Sequence, residues 1–163
     1  MQQDSIPNQR AGFELDVLSP CNAKLTPLNT HCNPMIQDGL LGQGVCFYPL
    51  SSQILSPVQG KIIHLPATCD QIRIQHQSGL LIHLEFGIDT RQLMGKSFIR
   101  YKAEGDQVTP GDLLFDYNLP MLNAELTSTQ SFIGIANLIE KFDFIPYYHR
   151  VKAKTDTAFT VRQ

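Results

Sequence analysis

The chain has 163 residues, a formal net charge of −2, and 42% hydrophobic and 17% charged residues, a composition typical of one globular domain. It contains no block of like charges that would indicate nucleic-acid binding, and no apolar run approaches the roughly 18 residues of a membrane-spanning helix. The polar residues 1–7 lack the regions of a signal peptide, which favours a cytoplasmic protein whose four cysteines are free thiols, some of them buried.

Residues 1–12 are predicted to form a flexible lead, followed by one domain over residues 13–163. In that domain, short apolar runs alternate with Gly, Pro, Asn, Asp and Ser clusters about every 8–12 residues, which favours an all-β sandwich or barrel. One helix is predicted over residues 119–126, with Pro120 in its first turn. In chain order, strands are predicted over residues 14–18, 23–27, 44–48, 53–56, 60–65, 71–76, 80–86, 97–101, 112–116 and 158–162.

A motif near the start of the domain occurs twice. Residues 18–25 match residues 55–62, 37 residues later, with identical Leu, Ser, Pro and Lys at corresponding positions. Each copy predicts an extended entry, a turn anchored by proline and then a strand. Two copies in one domain indicate a pseudo-symmetric β-sandwich built from repeated units.

The strand predicted over residues 80–86 carries ionisable side chains on one face. Alternation places Leu81, His83 and Glu85 on that face, and the apolar residues between them on the core face. The strand runs directly into a turn that begins at Gly87. The side chains opposite His83 and Glu85 on the neighbouring strand therefore decide what this face can do.

A short loop joins this strand to the preceding one as a hairpin. Matching the two apolar faces brings Arg73 opposite His83 and Gln71 opposite Glu85. Asp70 then lies at the same end of the hairpin as Glu85. The outer face is therefore expected to gather four ionisable side chains, those of Asp70, Arg73, His83 and Glu85.

The strand and its continuation, Phe86-Gly87-Ile88-Asp89-Thr90, resemble the active-site strand of the glucose-type IIA domains of the bacterial sugar phosphotransferase system. The resemblance runs from about Val17 to the C-terminus and implies a β-sandwich of the duplicated-hybrid-motif, or barrel-sandwich, type with one or two short helices. It also implies a shallow apolar depression around two active-site histidines. Further landmarks in the same order and spacing are Leu18-Ser19-Pro20, Gly42-Gln43-Gly44-Val45, Ser56-Pro57-Val58-Gln59-Gly60, Leu93-Met94-Gly95-Lys96-Ser97-Phe98, residues 104–114 and Asp116-Tyr117-Asn118-Leu119-Pro120-Met121-Leu122.

The departures from this family concentrate in that depression. By the resemblance, the phosphorylated histidine matches Glu85, the second histidine matches Asp70, and a nearby threonine is retained as Thr68. A carboxylate does not supply the nitrogen nucleophile that the family uses. The chain is therefore predicted to be a divergent IIA protein without phosphotransfer, which binds or regulates other proteins. The apolar ring of the family is matched by His64, Pro66, Arg73 and His83.

Three interpretations of the outer face remain open. In the first, it is a solvated polar face with a weak diagonal pair between Arg73 and Glu85, worth under about 1 kcal/mol. In the second, His83, Glu85 and Asp70 bind zinc, whose fourth ligand is water or a partner's carboxylate. In the third, His83 or Glu85 is the new phosphoryl acceptor, and the chain is an active phosphocarrier that the phosphohistidine protein HPr supplies.

A metal-binding relationship to LytM-type zinc peptidases, which share the duplicated β architecture, is a further alternative. Those enzymes need His-x-His on a strand and an upstream His-x-x-x-Asp. The segment His83-Leu84-Glu85 matches the first pattern loosely, and His-x-x-x-Asp does not occur in the chain. The sequence therefore favours this alternative least.

The resemblance implies protein partners: HPr, permease domains of the phosphotransferase system, or a metabolic enzyme or transporter. It implies no nucleic acid, no direct membrane insertion and, zinc aside, no cofactor. Arg73, His64 and Asp89 are predicted to take part in binding. Asp89 is predicted to bond backbone amides in its turn. His31, in a loop rich in Pro and Asn, is predicted to lie at the surface.

Overall fold

The structure is a computed structural model that describes residues 12–163, so nearly all of the predicted lead over residues 1–12 lies outside the described residues. The described part is built almost wholly from antiparallel strands, which confirms the predicted all-β sandwich with short helices. The strands are β1 (Glu14–Leu18), β2 (Ala23–Thr26), β3 (Gln43–Pro49), β4 (Gln53–Leu55), β5 (Gly60–His64), β6 (Gln71–Gln75), β7 (Leu81–Glu85), β8 (Phe98–Arg100), β9 (Gln107–Val108), β10 (Leu113–Tyr117), β11 (Ser131–Ile135), β12 (Asp143–Pro146), β13 (Arg150–Val151) and β14 (Thr157–Arg162).

The strands form three sheets. The largest has eight strands in the order β13-β2-β3-β11-β7-β6-β5-β9. The two smaller sheets have the orders β1-β14-β12 and β4-β10-β8. The large sheet buries one face in the main core, and its other face, here called the outer face, carries the side chains of Glu85 and His83.

Each of the ten predicted strands is present, with ends that differ by at most one residue. The predictions missed β9, β11, β12 and β13. Strand β11 lies in the middle of the large sheet and is buried at all of its positions, so its sequence shows no alternation of polar and apolar residues. The other three are short edge segments.

Residues 12–163 contain two α-helices, α1 (Pro34–Gln37) and α2 (Leu119–Glu125). Helix α2 confirms the predicted helix, with Pro120 in its first turn. The side chain of Asn118 caps it by accepting a hydrogen bond from the backbone N–H of Met121 at 3.0 Å. No helix in residues 12–163 is long and apolar enough to cross a membrane.

The internal repeat is confirmed by reciprocal backbone bonds between its two copies. The N–H of Leu18 donates to the carbonyl of Pro57 at 3.0 Å, and the N–H of Leu55 donates to the carbonyl of Pro20 at 2.8 Å. Each Leu-Ser-Pro motif therefore bonds to the proline of the other. This exchange is what a pseudo-two-fold arrangement of two equivalent units requires.

The serines of the two copies also make the same bond. The hydroxyl of Ser19 donates to the carbonyl of Cys21, and that of Ser56 donates to the carbonyl of Val58, both at 2.7 Å. Both serines are buried, with 1% of their surface exposed. The repeated sequence therefore produces the same local turn twice.

A cluster of aromatic rings fixes the end of β7. Phe86 is fully buried and packs against Phe98, Phe115 and Tyr117, with ring centroids 4.8–5.9 Å apart. Because Phe86 points into this core, the preceding Glu85 points to the outer face. The packing of one residue therefore sets the direction of the next.

Residues 27–42, here called the covering segment, lie over part of the outer face. Ile36 of α1 is buried against Cys46 and Phe132 in a small second core that also includes Leu28 and Leu41. This part of the outer face is therefore not solvated. The four cysteines are free, as predicted, and Cys21, Cys46 and Cys69 are buried; burial raises the pKa of the last two thiols to about 12, which makes them unreactive.

Candidate functional site

The hairpin of β6 and β7 has the predicted register. Gln71 lies opposite Glu85, and Arg73 lies opposite His83. His64 of β5 lies on the far side of Arg73, and its Nδ1 is 3.5 Å from the carboxylate of Glu104. Cross-strand pairing thus brings these side chains together on the outer face, as the alternation of the sequence predicted.

Glu85 is held by two neighbouring side chains. Its Oε1 accepts hydrogen bonds from Nε2 of Gln71 at 2.8 Å and from Nε2 of His83 at 2.9 Å. About 22% of its side chain is exposed. The carboxylate therefore reaches solvent from a fixed position.

His83 is buried, with 1% of its surface exposed. Nε of Arg73 lies 3.1 Å from its Nδ1. A guanidinium can only donate, so Nδ1 accepts, and the proton of the neutral ring is on Nε2, where it bonds Glu85. Both ring nitrogens are thus engaged in a chain of hydrogen bonds from Arg73 through His83 to Glu85.

The interpretation of the outer face as a solvated polar face with an Arg73–Glu85 pair is therefore wrong in two respects. His83 is covered, and the ring of Phe132 on β11 lies 6.4 Å from its ring, centroid to centroid. Arg73 donates its hydrogen bond to the imidazole of His83, which lies between the guanidinium and the carboxylate of Glu85. It does not bond that carboxylate directly. The reason is that Phe132 and the covering segment occupy space that the sequence pattern left to solvent.

Asp70 forms a separate pair beside this chain of bonds. Its carboxylate accepts from Nε of Arg91 at 3.3 Å and lies 3.2 Å from a terminal guanidinium nitrogen of the same residue. It also accepts a hydrogen bond from the hydroxyl of Thr68. Arg91 was not among the predicted site residues: it lies in a 3-10 helix at Thr90–Leu93 after the turn, and no sequence pattern indicates its direction.

The prediction that the carboxylate of Asp89 bonds backbone amides in its turn is wrong. The carboxylate accepts a hydrogen bond from the hydroxyl of Thr127 at 2.8 Å. The backbone of Asp89 is left-handed, with φ +61°, at the start of the 3-10 helix. The turn therefore directs this side chain toward the segment before β11 and away from its own backbone.

His31 is buried, with 3% of its surface exposed, so its predicted surface position is wrong. Its Nδ1 accepts from the N–H of Asn33 at 3.0 Å, and its buried Nε2 has no hydrogen-bond partner among residues 12–163. Burial lowers the pKa of His31, while the backbone of Gln130 and the carboxylate of Glu85 act in the opposite direction. The covering segment thus places a second histidine within electrostatic reach of Glu85.

The side chains of this site do not form a metal centre on their own. No group of three or more His, Cys, Asp or Glu residues that could hold a metal ion exists in the described part of the chain. Asp70 is paired with Arg91, whereas Glu85 is paired with His83. The zinc interpretation of Asp70, His83 and Glu85 therefore gains no support from this geometry.

Comparison with known proteins identifies the family. A family model of EIIA 1 of the phosphoenolpyruvate-dependent sugar phosphotransferase system matches residues 15–140. The glucose-specific EIIA component of Oceanobacillus iheyensis is 27% identical over 129 residues, or 79% of this chain and 78% of that protein. The glucose-specific EIIA component of Haemophilus influenzae is 26% identical over 132 residues, or 81% of this chain and 80% of that protein.

A solved structure gives the same answer. Glucose permease IIA from Mycoplasma capricolum matches this structure with a TM-score of 0.85 at 28% identity, and the match covers 91% of this chain and 96% of that one. The β-sandwich expected from the sequence resemblance is thereby confirmed. The chain belongs to the EIIA 1 family of the phosphoenolpyruvate-dependent sugar phosphotransferase system and has the glucose-type EIIA fold.

Proposed function

We propose that this chain is an EIIA protein that carries no phosphoryl group on histidine and acts in the cytoplasm by binding and regulating other proteins. The sequence resemblance puts Glu85 and Asp70 at the positions of the two family histidines. The observation that carries the proposal is the chain of hydrogen bonds from Arg73 through His83 to Glu85. These bonds engage both ring nitrogens of His83, the only histidine on β7, so neither nitrogen is free.

His83 is a poor substitute for the missing nucleophile. A neutral imidazole attacks through the lone pair of its unprotonated nitrogen. On His83 that lone pair accepts the Nε–H of Arg73, and the ring is 1% exposed. Its position is also two residues from Glu85, nearly 7 Å along the strand, and in-line transfer tolerates far less displacement than that.

The two carboxylates support a binding role. Glu85 is held by neighbouring donors with about 22% of its side chain exposed, and Asp70, with 12% exposed, is held by Arg91, so both negative charges have fixed positions. A fixed charge of this kind orients a protein partner at little cost in side-chain entropy. The expected partners are proteins of the phosphotransferase system, such as HPr or permease domains, or a metabolic enzyme or transporter.

The alternative is an active phosphocarrier that uses Glu85 or His83. Of the two, Glu85 is the stronger candidate because its side chain is partly exposed and a carboxylate can form an acyl phosphate. Such a chain would receive its phosphoryl group from HPr.

The deciding experiment is phosphoryl transfer from phosphoenolpyruvate through purified enzyme I and HPr, followed by intact-mass analysis at neutral pH. The Haemophilus influenzae relative serves as the positive control in the same tube. We expect the relative to gain one phosphoryl group and this chain to gain none. A gain on this chain would contradict the proposal, and loss of that gain in Glu85→Gln or in His83→Ala would name the acceptor.

The same assay tests the binding role. With this chain in excess over HPr, the rate at which the relative becomes labelled is expected to fall if HPr is a partner. The Asp70→Lys/Glu85→Lys variant, which reverses both fixed charges, is expected to restore the rate. An unchanged rate would exclude HPr and direct the search to permease domains and metabolic enzymes.

A further inference from the structure

A row of exposed side chains crosses the edge of the large sheet, three strands away from β7 and Glu85. Lys24 on β2 lies directly opposite Arg150 on β13 on one side and opposite Tyr48 on β3 on the other. Directly opposed residues project from the same face of a sheet. The neighbours Ala23 and Leu25 are buried in the core, so this row lies on the outer face.

The cations in this row lack acidic partners. Neither Lys24, Arg150 nor the nearby Lys152 forms an ion pair with a carboxylate in residues 12–163. One acid, Asp156, lines the same cavity as Arg150 and Lys152, and its carboxylate accepts the backbone N–H of Lys152 at 2.7 Å. Like charges directly opposite each other destabilise a sheet, and three cations beside one carboxylate leave a net positive charge, which points to an external anion.

Exposed apolar and aromatic side chains accompany the cations. Tyr48 is 48% exposed, Tyr148 is 49% exposed and Leu50 is 55% exposed. Leu50 also lines a shallow cavity of about 290 Å³ together with Arg150, Lys152 and Asp156. The face therefore combines positive charge with side chains that favour a partly apolar environment.

The second copy of the repeat shows that the fold does not require this row. Lys61 is the residue that corresponds to Lys24, and it lies between Gln75 and Gln107 on its neighbouring strands. The cavity beside it, of about 360 Å³, is lined by four glutamines, two glycines, His76 and Lys61 itself. The cationic and aromatic character is thus particular to the first copy.

We propose that the cationic face, defined as Lys24, Tyr48, Leu50, Tyr148, Arg150 and Lys152, docks reversibly on the surface of a bilayer that contains anionic phospholipids. Each Lys or Arg near such a surface contributes attraction, and tyrosine and leucine side chains enter the headgroup region. Lysine is depleted in interfaces between proteins, which favours lipid over an acidic protein as the occupant. This role is separate from phosphoryl transfer and from the binding proposed for Glu85.

The test is cosedimentation of the full chain with vesicles at low salt. Vesicles of phosphatidylcholine mixed with phosphatidylglycerol are compared with vesicles of phosphatidylcholine alone. We expect binding to the mixed vesicles only, and release when the salt concentration is raised, because salt screens the attraction. Binding to neither vesicle, or equal binding to both, would overturn the proposal.

Matched variants test the location. Lys24→Glu/Arg150→Glu is expected to weaken binding about tenfold or more. Lys61→Glu/Lys96→Glu changes the net charge by the same amount at exposed positions outside the cationic face and is expected to retain most of the binding. Equal losses in both variants would mean that overall charge alone is responsible, which contradicts the proposal.

Two further measurements keep the result interpretable. Tyr48→Ser/Leu50→Ser retains every charge and is expected to weaken binding several-fold, since it removes only the apolar contacts. Circular dichroism confirms that each variant is folded. Binding of the chain to soluble polyglutamate but not to the mixed vesicles would assign the face to an acidic protein and overturn the lipid proposal.

Discussion

The two copies of the repeat are alike inside the molecule and different on its surface. Ser19 and Ser56 make the same buried bond in their turns, at the same distance. Lys24 and Lys61 occupy the same position on the following strand, yet one lies between Arg150 and Tyr48 and the other between two glutamines. The turns are fixed by packing, whereas the outward positions are free to take on separate functions.

The largest expected effect comes from changing Asp70 and Glu85, which follow the second copy of the repeat. We predict that Asp70→His/Glu85→His gains one phosphoryl group from HPr, because it returns imidazole nitrogens to both family positions. Intact-mass analysis after incubation with phosphoenolpyruvate, enzyme I and HPr measures the gain. The single variant Glu85→His is the control for the contribution of Asp70. If the double variant stays unlabelled while the Haemophilus influenzae relative is labelled, the docking surface for HPr has been lost as well.

The buried serines test the likeness of the two copies. Ser19→Ala and Ser56→Ala are each expected to lower the free energy of unfolding by about 1 kcal/mol, since each removes one buried hydrogen bond. Urea unfolding of both variants at one pH measures the two losses. Losses that differ by more than about 1 kcal/mol would show that the turns are equivalent in geometry but not in energy.

The pH dependence of stability tests one histidine that follows each copy of the repeat. Burial lowers the pKa of His31 and of His76 below the ordinary value of 6.5. The unfolded chain therefore binds more protons than the folded chain, and stability is expected to fall as the pH drops below about 6.5. Urea unfolding across this range should show a shallower pH dependence in His31→Gln and in His76→Gln. A slope unchanged by either substitution would contradict this account.

The smallest expected effect contrasts the two corresponding lysines. Lys24→Glu replaces a like-charge pair with an opposite-charge pair across β2 and β13, and is expected to raise the free energy of unfolding by about 0.2–1 kcal/mol. The substitution Lys61→Glu places a carboxylate between two glutamines and is expected to leave the free energy of unfolding unchanged. Thermal unfolding of both variants at low salt provides the comparison. A loss of stability in Lys24→Glu would show that Lys24 and Arg150 do not repel each other.

The register of the hairpin was predictable because it depends on local alternation. Apolar residues every second position on β6 and β7 place Gln71 opposite Glu85 with no information from elsewhere in the chain. The burial of His31 was not predictable, because it depends on distant contacts. The side chain of Gln130 donates to the carbonyl of Thr30 at 2.9 Å and helps to hold the covering segment in place. Neither residue carries a sequence signal for that contact.

The outer face of the large sheet joins the two surfaces discussed above. Glu85 is paired in register with Phe132, Phe132 with Cys46, and Cys46 with Thr26, two residues from Lys24. Three strand spacings of about 4.8 Å separate β7 from β2, so the carboxylate and the cationic face lie on the same face of one twisted sheet. A molecule resting on a bilayer through Lys24 would hold Glu85 on the same face of the sheet, three strands away. Its search for a membrane-embedded partner would then become a two-dimensional one with a preset orientation.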